Sequence, residues 1–258
     1  MLDHEISEGA PINFESVSKY YLVNGQRRMV VDGVDLECPG GKITTIVGPS
    51  GCGKTTLLNF AAGLIRPDTG QVRVGPDVVQ GPGPDRGVVF QQYALFPWLT
   101  VAENIGFAIP PGRMLPQERQ ETINAYLNLV GLWEHRHALP KALSGGMKQR
   151  CALARALAAE PRVLLLDEPF GALDAITRHR LQYELLEIFA RRRQTLLFIT
   201  HDFEEAAFLS HRIVVMCANP ARIVSVIDLP YGFPRTEDTR SDPAFLEVRK
   251  WLWEQLKG

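Results

Sequence analysis

Long apolar runs are what this sequence most plainly lacks. No stretch of the 258 residues approaches the ~20 apolar residues a membrane-spanning helix needs, so any work at a membrane is expected from a peripheral subunit. Cysteine is scarce. Cys38, Cys52, Cys151 and Cys217 lie far apart, with neither metal-ligand spacing nor the density of a disulfide scaffold, and this points to a reducing compartment. Neither charge is in excess: 28 Lys and Arg face 29 Asp and Glu, no basic stripe is present, and no nucleic-acid partner is expected. The opening segment, MLDHEISEGAP, has no basic n-region and no apolar h-region, so no secretory signal is read there. Internal repeats and low-complexity tracts are missing as well.

What is present centres on Gly48-Pro49-Ser50-Gly51-Cys52-Gly53-Lys54-Thr55-Thr56, which fits G-x-x-x-x-G-K-[ST]. A β-branched run, residues 43–47, precedes it. A helical pattern, residues 55–62 stopped by Gly63, follows it. In a strand–loop–helix of this kind the glycines let backbone N–H groups turn inward around phosphate oxygens. The helix N-terminus adds its positive end, Lys54 reaches the β- and γ-phosphates, and the Thr55 hydroxyl can ligate Mg²⁺.

The first ninety residues read as β-rich, with strands at 12–17, 20–23, 29–36, 71–74 and 87–90 and a hairpin dipeptide at Asn24-Gly25. From about 96 to 159 the pattern is helical. Thr100 and Glu103 form a capping box, 116–130 is an amphipathic helix ending at Gly131, and Ser144 caps a helix reaching about Glu160. An α/β pattern then resumes with the apolar strand 163–166, a helix over 175–192, a strand over 195–199, a helix over 202–209 and strands at 213–216 and 222–227. In the final segment Asp242 caps a helix whose apolar stripe is Phe245, Val248 and Leu252.

Four further constellations carry chemistry. Asp167-Glu168 follows a buried strand, where open α/β sheets bind ligands. One carboxylate can hold Mg²⁺ and the other can orient or deprotonate a water. Ser144-Gly145-Gly146 opens a helix and offers a second anion site, which suggests a nucleotide shared between two chains. His201 stands at another strand end, within reach of a γ-phosphate or its attacking water. Gln91, after the strand at 87–90, offers an amide to Mg²⁺ or to its own loop. Beyond Gln91, the aromatic stretch Tyr93 to Leu99 is a candidate docking surface.

These motifs, with LLLDEP and the Phe170–Asp174 turn, stand in the order and spacing of an ATP-binding cassette ATPase, which the chain resembles to about residue 230. The resemblance implies an α/β fold: a P-loop NTPase (RecA-like) core with an antiparallel β-subdomain and an inserted helical subdomain. The cassette is expected over 12–230, with core segments 12–95 and 160–230, a helical insertion at about 96–159, and a tail at 231–258 with one helix. It further implies ATP and Mg²⁺ as ligands. Tyr21, or Tyr20 beside it, stacks on adenine, and Ser50 to Thr56 hold phosphates. Thr55, Gln91 and Asp167 serve the metal, while Glu168 polarises water, His201 senses the γ-phosphate and Lys54 supplies charge. Ser144, Gly145 and Gly146 complete the site of a second copy, and Asp174 lies in a turn crossing that dimer. Met147 departs from the commonest signature, which has Gln there, but the anion-binding Ser-Gly-Gly is intact.

GPSGCGKTTLLN, GPGPDRGVVFQQ, LSGGMKQR, DEPFGALDA and SDPAFLEVRKWL are similar to the nitrate/sulfonate/taurine importer group, whose relatives also move bicarbonate, cyanate and pyrimidine precursors. That resemblance implies a second ATPase subunit, a polytopic membrane permease, a substrate-binding protein acting indirectly, and a place at the cytoplasmic face of the cell membrane. The alternative is a cassette ATPase acting on DNA or ribosomes. Such proteins usually carry a coiled-coil insertion or two cassettes in one chain, and neither is found here. A P-loop GTPase would need N-K-x-D, which is absent, and a P-loop kinase has no use for Ser144-Gly145-Gly146.

Overall fold

The computed structural model describes residues 9–257 apart from 24, 219 and 234. Two long strands open the chain, β1 (Ile12–Val23) and β2 (Gln26–Cys38), paired antiparallel. Sequence pattern alone splits β1 into two strands, and the reason is a bulge. Ile12, Phe14 and Val17 are buried, so the spacing of inward residues slips from two to three. Ser16 sits at the slip with φ 47°, and its N–H donates to Asp35 Oδ1 at 2.7 Å. The hairpin turn expected at Asn24-Gly25 falls partly outside the described residues. Gly25 has φ 77°, and the pair Val23–Gln26 brackets the turn.

A central strand, β3 (Ile43–Val47), leads into α1 (Lys54–Ala62). The chain then returns to the first layer through β4 (Thr69–Val74) and β5 (Asp77–Val78), the latter too short to leave a sequence signal. That layer is a sheet of order β2-β1-β4-β5, antiparallel throughout.

After β6 (Arg86–Val89) come three helices: α2 (Val101–Phe107), α3 (Pro116–Leu129) and α4 (Gly145–Ala158). The capping box at Thr100 and Glu103 is complete, and Ser144 accepts from Met147 N–H at the head of α4. Helix α3 stops one residue before the position read from sequence, with Gly131 left-handed at φ 62° just beyond. The insertion has no separate core. Val101, Ile105, Ile123 and Leu127 share one hydrophobic cluster with Val89, Leu164 and Leu166 of the sheet.

The second half of the sheet comprises β7 (Val163–Asp167), β8 (Thr195–Ile199), β9 (Arg212–Cys217) and β10 (Arg222–Asp228). Strands β3, β7 and β8 are buried at every position, as parallel strands covered on both faces must be. The order is β10-β9-β3-β8-β7-β6, with β10 antiparallel at the edge and the other pairings parallel. Helices α5 (Ala175–Arg192) and α6 (Phe203–Leu209) flank it, and α7 (Pro243–Lys257) ends the described chain. The tail is anchored rather than loose: α7 packs on α6, and Phe245, Val248 and Leu252 are buried.

One polar side chain fixes the junction between core and insertion. Asn104 is fully buried, accepts from Phe96 N–H at 2.9 Å, and donates to the carbonyls of Phe96 (3.2 Å), Leu99 (2.9 Å) and Thr100 (3.0 Å). Asn104→Ala should lower unfolding free energy by about 1–3 kcal/mol, the cost of leaving such groups unpaired, in a urea titration. An unchanged midpoint would refute that role.

Candidate nucleotide site

The C-terminal ends of the parallel strands converge on one edge of the sheet. Strand β3 delivers the loop 48–53, β6 leads to Gln91, β7 ends in Asp167-Glu168, and β8 leads to Thr200-His201. This is where an open α/β sheet offers backbone donors and side chains to a ligand.

The loop is shaped by close approach. A Cβ on Gly48 would lie 2.5 Å from the Met216 carbonyl oxygen and 2.7 Å from Cys52 Sγ. Gly53 has φ 86°, and a Cβ there would meet that of Ala221 at 2.7 Å. Gly53 caps α1 without any side-chain hydrogen bond, so the first-turn N–H groups are left for an anion. Lys54 folds back over the loop, donating to the carbonyls of Gly48 at 2.8 Å and Pro49 at 3.0 Å. Its ammonium thus stands in the anion cradle, held by acceptors weaker than a phosphate oxygen. Cys52 is buried beside it. Desolvation pushes its thiol pKa up, against the pull of Lys54.

Asp167 and Glu168 have separate partners. Thr55 Oγ1 donates to Asp167 Oδ2 at 3.0 Å. Asp167 is 6% exposed, and burial raises its pKa with help from the Glu168 charge, opposed by the Thr55 bond and Lys54. Glu168 adopts φ 47°, a left-handed backbone that costs an ordinary residue about 1–2 kcal/mol, while its N–H donates to the Ile199 carbonyl at 3.0 Å. That posture places its carboxylate between two partners. Gln91 Nε2 donates to Oε2 at 3.1 Å, and His201 Nδ1 lies 3.2 Å from Oε1.

This donor set fits Mg²⁺. A carboxylate and a hydroxyl already touch, the Gln91 amide stands beside the second carboxylate, and the one nearby ammonium is engaged with carbonyls. Among the described residues no group of three or more His, Cys, Asp or Glu could hold a metal, so oxygen atoms of a ligand or water would complete the shell.

The other expected residues lie apart from this group. Ser144 Oγ caps α4 by accepting from Met147 N–H at 3.3 Å, and Asp174 caps α5 by accepting from Thr177 N–H at 3.0 Å. Among the described residues no hydrogen bond joins Ser144, Gly145 or Gly146 to the phosphate loop or to Glu168. They do neighbour the Asp174 turn, since a Cβ on Gly146 would lie 3.1 Å from Leu173 Cδ2. Arg27 of β2 covers the ring of Tyr20 on β1 at 4.1 Å, whereas Tyr21 is 40% exposed with Lys19 5.9 Å from its centroid.

One participant escapes sequence reading. Tyr93 and Ala94, just past Gln91, are both left-handed, with φ 55° and 45°. Arg155 of α4 donates to the Ala94 carbonyl at 2.8 Å and the Tyr93 carbonyl at 3.4 Å, and its guanidinium lies 5.4 Å from the Phe96 ring. An arginine inside a helix carries no sign of such a task. Only its place beneath two strained residues reveals it.

A family model described as ABC transporter matches residues 31–171. The chain belongs to the ATP-binding cassette family. The nitrate import ATP-binding protein NrtD of Synechococcus elongatus is 43% identical over 242 residues, covering 92% of this cassette and 88% of the relative. The bicarbonate transport ATP-binding protein CmpD of a Synechocystis species is 44% identical over 249 residues, covering 95% and 88%. An ATP-binding protein of Brucella abortus is 52% identical over 228 residues, 88% of each chain. Among solved structures, a dimeric ATP-binding cassette in a post-hydrolysis state bound to ADP and Pi superposes with a TM-score of 0.77 at 30% identity, covering 86% of this chain and all of that one. This cassette is an ATPase with the P-loop NTPase fold.

The raised Asp167 pKa sets a stability test. A carboxyl whose pKa is raised by folding supports the fold fully below the ordinary carboxylate range and loses that support as pH rises through the raised value. Ionisation of Asp167 therefore destabilises the nucleotide-free cassette. Asp167→Asn should raise its melting temperature by about 2–4 °C per kcal/mol relieved. The advantage should fade on acidification, and the added stabilisation from ATP with Mg²⁺ should shrink. A variant that melts lower at pH 7 would contradict this.

Proposed function

We propose that this cassette is the ATP-hydrolysing subunit of an importer for a small anionic solute, such as nitrate, a sulfonate or taurine, with bicarbonate, cyanate or a pyrimidine precursor as the neighbouring options. It works at the cytoplasmic face of the cell membrane, as a dimer beneath a separate polytopic permease, and serves a substrate-binding protein only indirectly. The observation that carries the hydrolytic part is the Glu168 carboxylate, held between Gln91 and His201 beside the phosphate loop.

In this reading the loop from Gly48 through Thr56 wraps the phosphates, and Lys54 leaves the Gly48 and Pro49 carbonyls for the β- and γ-oxygens. Thr55, Asp167 and Gln91 hold Mg²⁺, which when bound neutralises phosphate charge. Glu168 accepts a hydrogen bond from the attacking water and polarises it toward the γ-phosphorus. His201 contacts the γ-phosphate and keeps Glu168 oriented. Phosphoryl transfer asks the protein mainly for position and charge, and this set supplies both. Tyr21 stacks on adenine, its ring being the freer of the two tyrosines. The remaining charge stabilisation comes from a second copy. Its Ser144, Gly145 and Gly146 present the head of α4 to the γ-phosphate, and the Asp174 turn crosses between the copies. ATP therefore closes the dimer and hydrolysis opens it.

Support for the permease partner comes from an apolar surface at the junction of core and insertion. Trp98 is 71% exposed and Phe107 63%. Phe96 packs between the two, with ring centroids 5.6 Å and 4.4 Å away. Exposed rings gathered in this way mark an interaction surface. The solute class rests on similarity to the nitrate and bicarbonate ATPases alone.

Glu168→Gln should cut ATP turnover by at least ~100-fold while nucleotide binding persists, the scale for losing a group that acts in the transition state. Near-normal hydrolysis would remove the assignment. The transport reading is checked by purification from native membranes: a polytopic membrane protein should accompany the cassette, and a pool bound to ribosomes or DNA instead would overturn it.

A further inference from the structure

Between the Asp174 turn and His201 lies a polar cluster that the nucleotide chemistry does not use. Arg178, one turn into α5, reaches three acceptors on different segments. Its guanidinium donates to the Leu173 carbonyl at 3.2 Å and to Asp202 Oδ2 at 3.3 Å, and its Nε stands 3.7 Å from Glu205 Oε1. The acceptors are themselves fixed. Thr200 Oγ1 donates to Glu205 Oε2 at 2.7 Å and accepts from Asp202 N–H at 3.0 Å. Gln182 Nε2 approaches Glu205 Oε1 at 3.4 Å, and Arg240 of the tail donates to Gln182 Oε1 at 3.0 Å. Glu205 is 5% exposed. Burial, reinforced by Asp202, pushes its carboxyl up to about 7 against the Thr200 bond and the nearby Arg178 and His201. Its ionised form thus leans first on the Thr200 hydroxyl and then on Arg178.

We propose that Arg178 is a positioning residue that ties the turn at 170–174 to the segment 200–202, so that the two move as one. Resting on the two-copy reading above, the inference gives a specific path between the nucleotide a subunit holds and the turn it presents to its partner. Arg178 touches neither the phosphate loop nor Glu168 among its recorded contacts. Leu173, whose carbonyl it holds, packs beside Gly146 of α4. A planar guanidinium spreads five donors over three nitrogens in a fixed fork, so it can reach acceptors on separate segments that an ammonium's single nitrogen meets less well.

The test uses ATP-driven dimerisation and turnover of the full chain. In a Glu168→Gln background, adding Arg178→Ala should weaken the ATP-dependent dimer about tenfold, the upper part of the range for a coupling residue, in analytical ultracentrifugation. Fluorescent-nucleotide affinity of the monomer should stay within about twofold. With Glu168 intact, kcat should fall about tenfold at nearly constant KM for ATP. Arg178→Lys should show the same pattern at smaller amplitude, which covers the case in which the alanine variant folds poorly. Unchanged dimerisation and kcat would overturn the inference, as would an equal loss of monomer nucleotide affinity. If Glu168→Gln alone forms no dimer with ATP, the two-copy reading falls first and takes this inference with it.

Discussion

Two ionisable carboxyls side by side at the end of a strand buried on both faces form the constraint around which this molecule is arranged. Asp167 and Glu168 repel, and Asp167 is also desolvated. The nearest ammonium, Lys54, is engaged with loop carbonyls. The fold answers by giving each carboxylate a different neighbour. Asp167 takes the Thr55 hydroxyl of the phosphate loop, and Glu168 takes Gln91 and His201 from the strands on either side of β7. The left-handed φ of Glu168 makes that division possible by turning its side chain away from its neighbour's. A carboxylate pair so short of positive charge is what a divalent cation would relieve.

The same geometry bears on the proposal that one chain offers two unlike anion sites. The phosphate loop has free N–H groups, an ammonium and the carboxylate pair. The head of α4 has a Ser cap and two glycines without either carboxylate. On the proposed reading the first binds and positions a nucleotide, and the second only contributes donors to one. Leu173 lies between them, against Gly146 on one side and bonded through its carbonyl to Arg178 on the other. Binding at one site and presentation of the other are therefore mechanically adjacent.

Sequence made the layers legible because period and composition carry them. The uniformly apolar strands β3, β7 and β8, the capping box at Thr100 and the Pro243 helix start all leave local signals. Long-range facts left none. The bulge at Ser16 depends on Asp35, nineteen positions away, and β5 exists only because β4 is beside it. At the site, the residue types and their order were readable, but not that Gln91 and His201 would converge on one carboxylate. Arg155 and Arg178 were invisible for the same reason. Each looks like an ordinary polar residue on a helix until the carbonyls it holds are known.

The segment after Gln91 is stitched at both ends. Its outer end carries the ring cluster of Phe96, Trp98 and Phe107, and its inner end is clamped to α4 through the Arg155 bonds to Tyr93 and Ala94. A shove on the rings cannot displace Gln91 without either dragging α4 or breaking those bonds. Two consecutive residues in a costly conformation make the segment a strained connection rather than a loose tether. On the two-copy reading proposed above, force applied at the surface would reach the nucleotide of this copy and, through the head of α4, that of its neighbour.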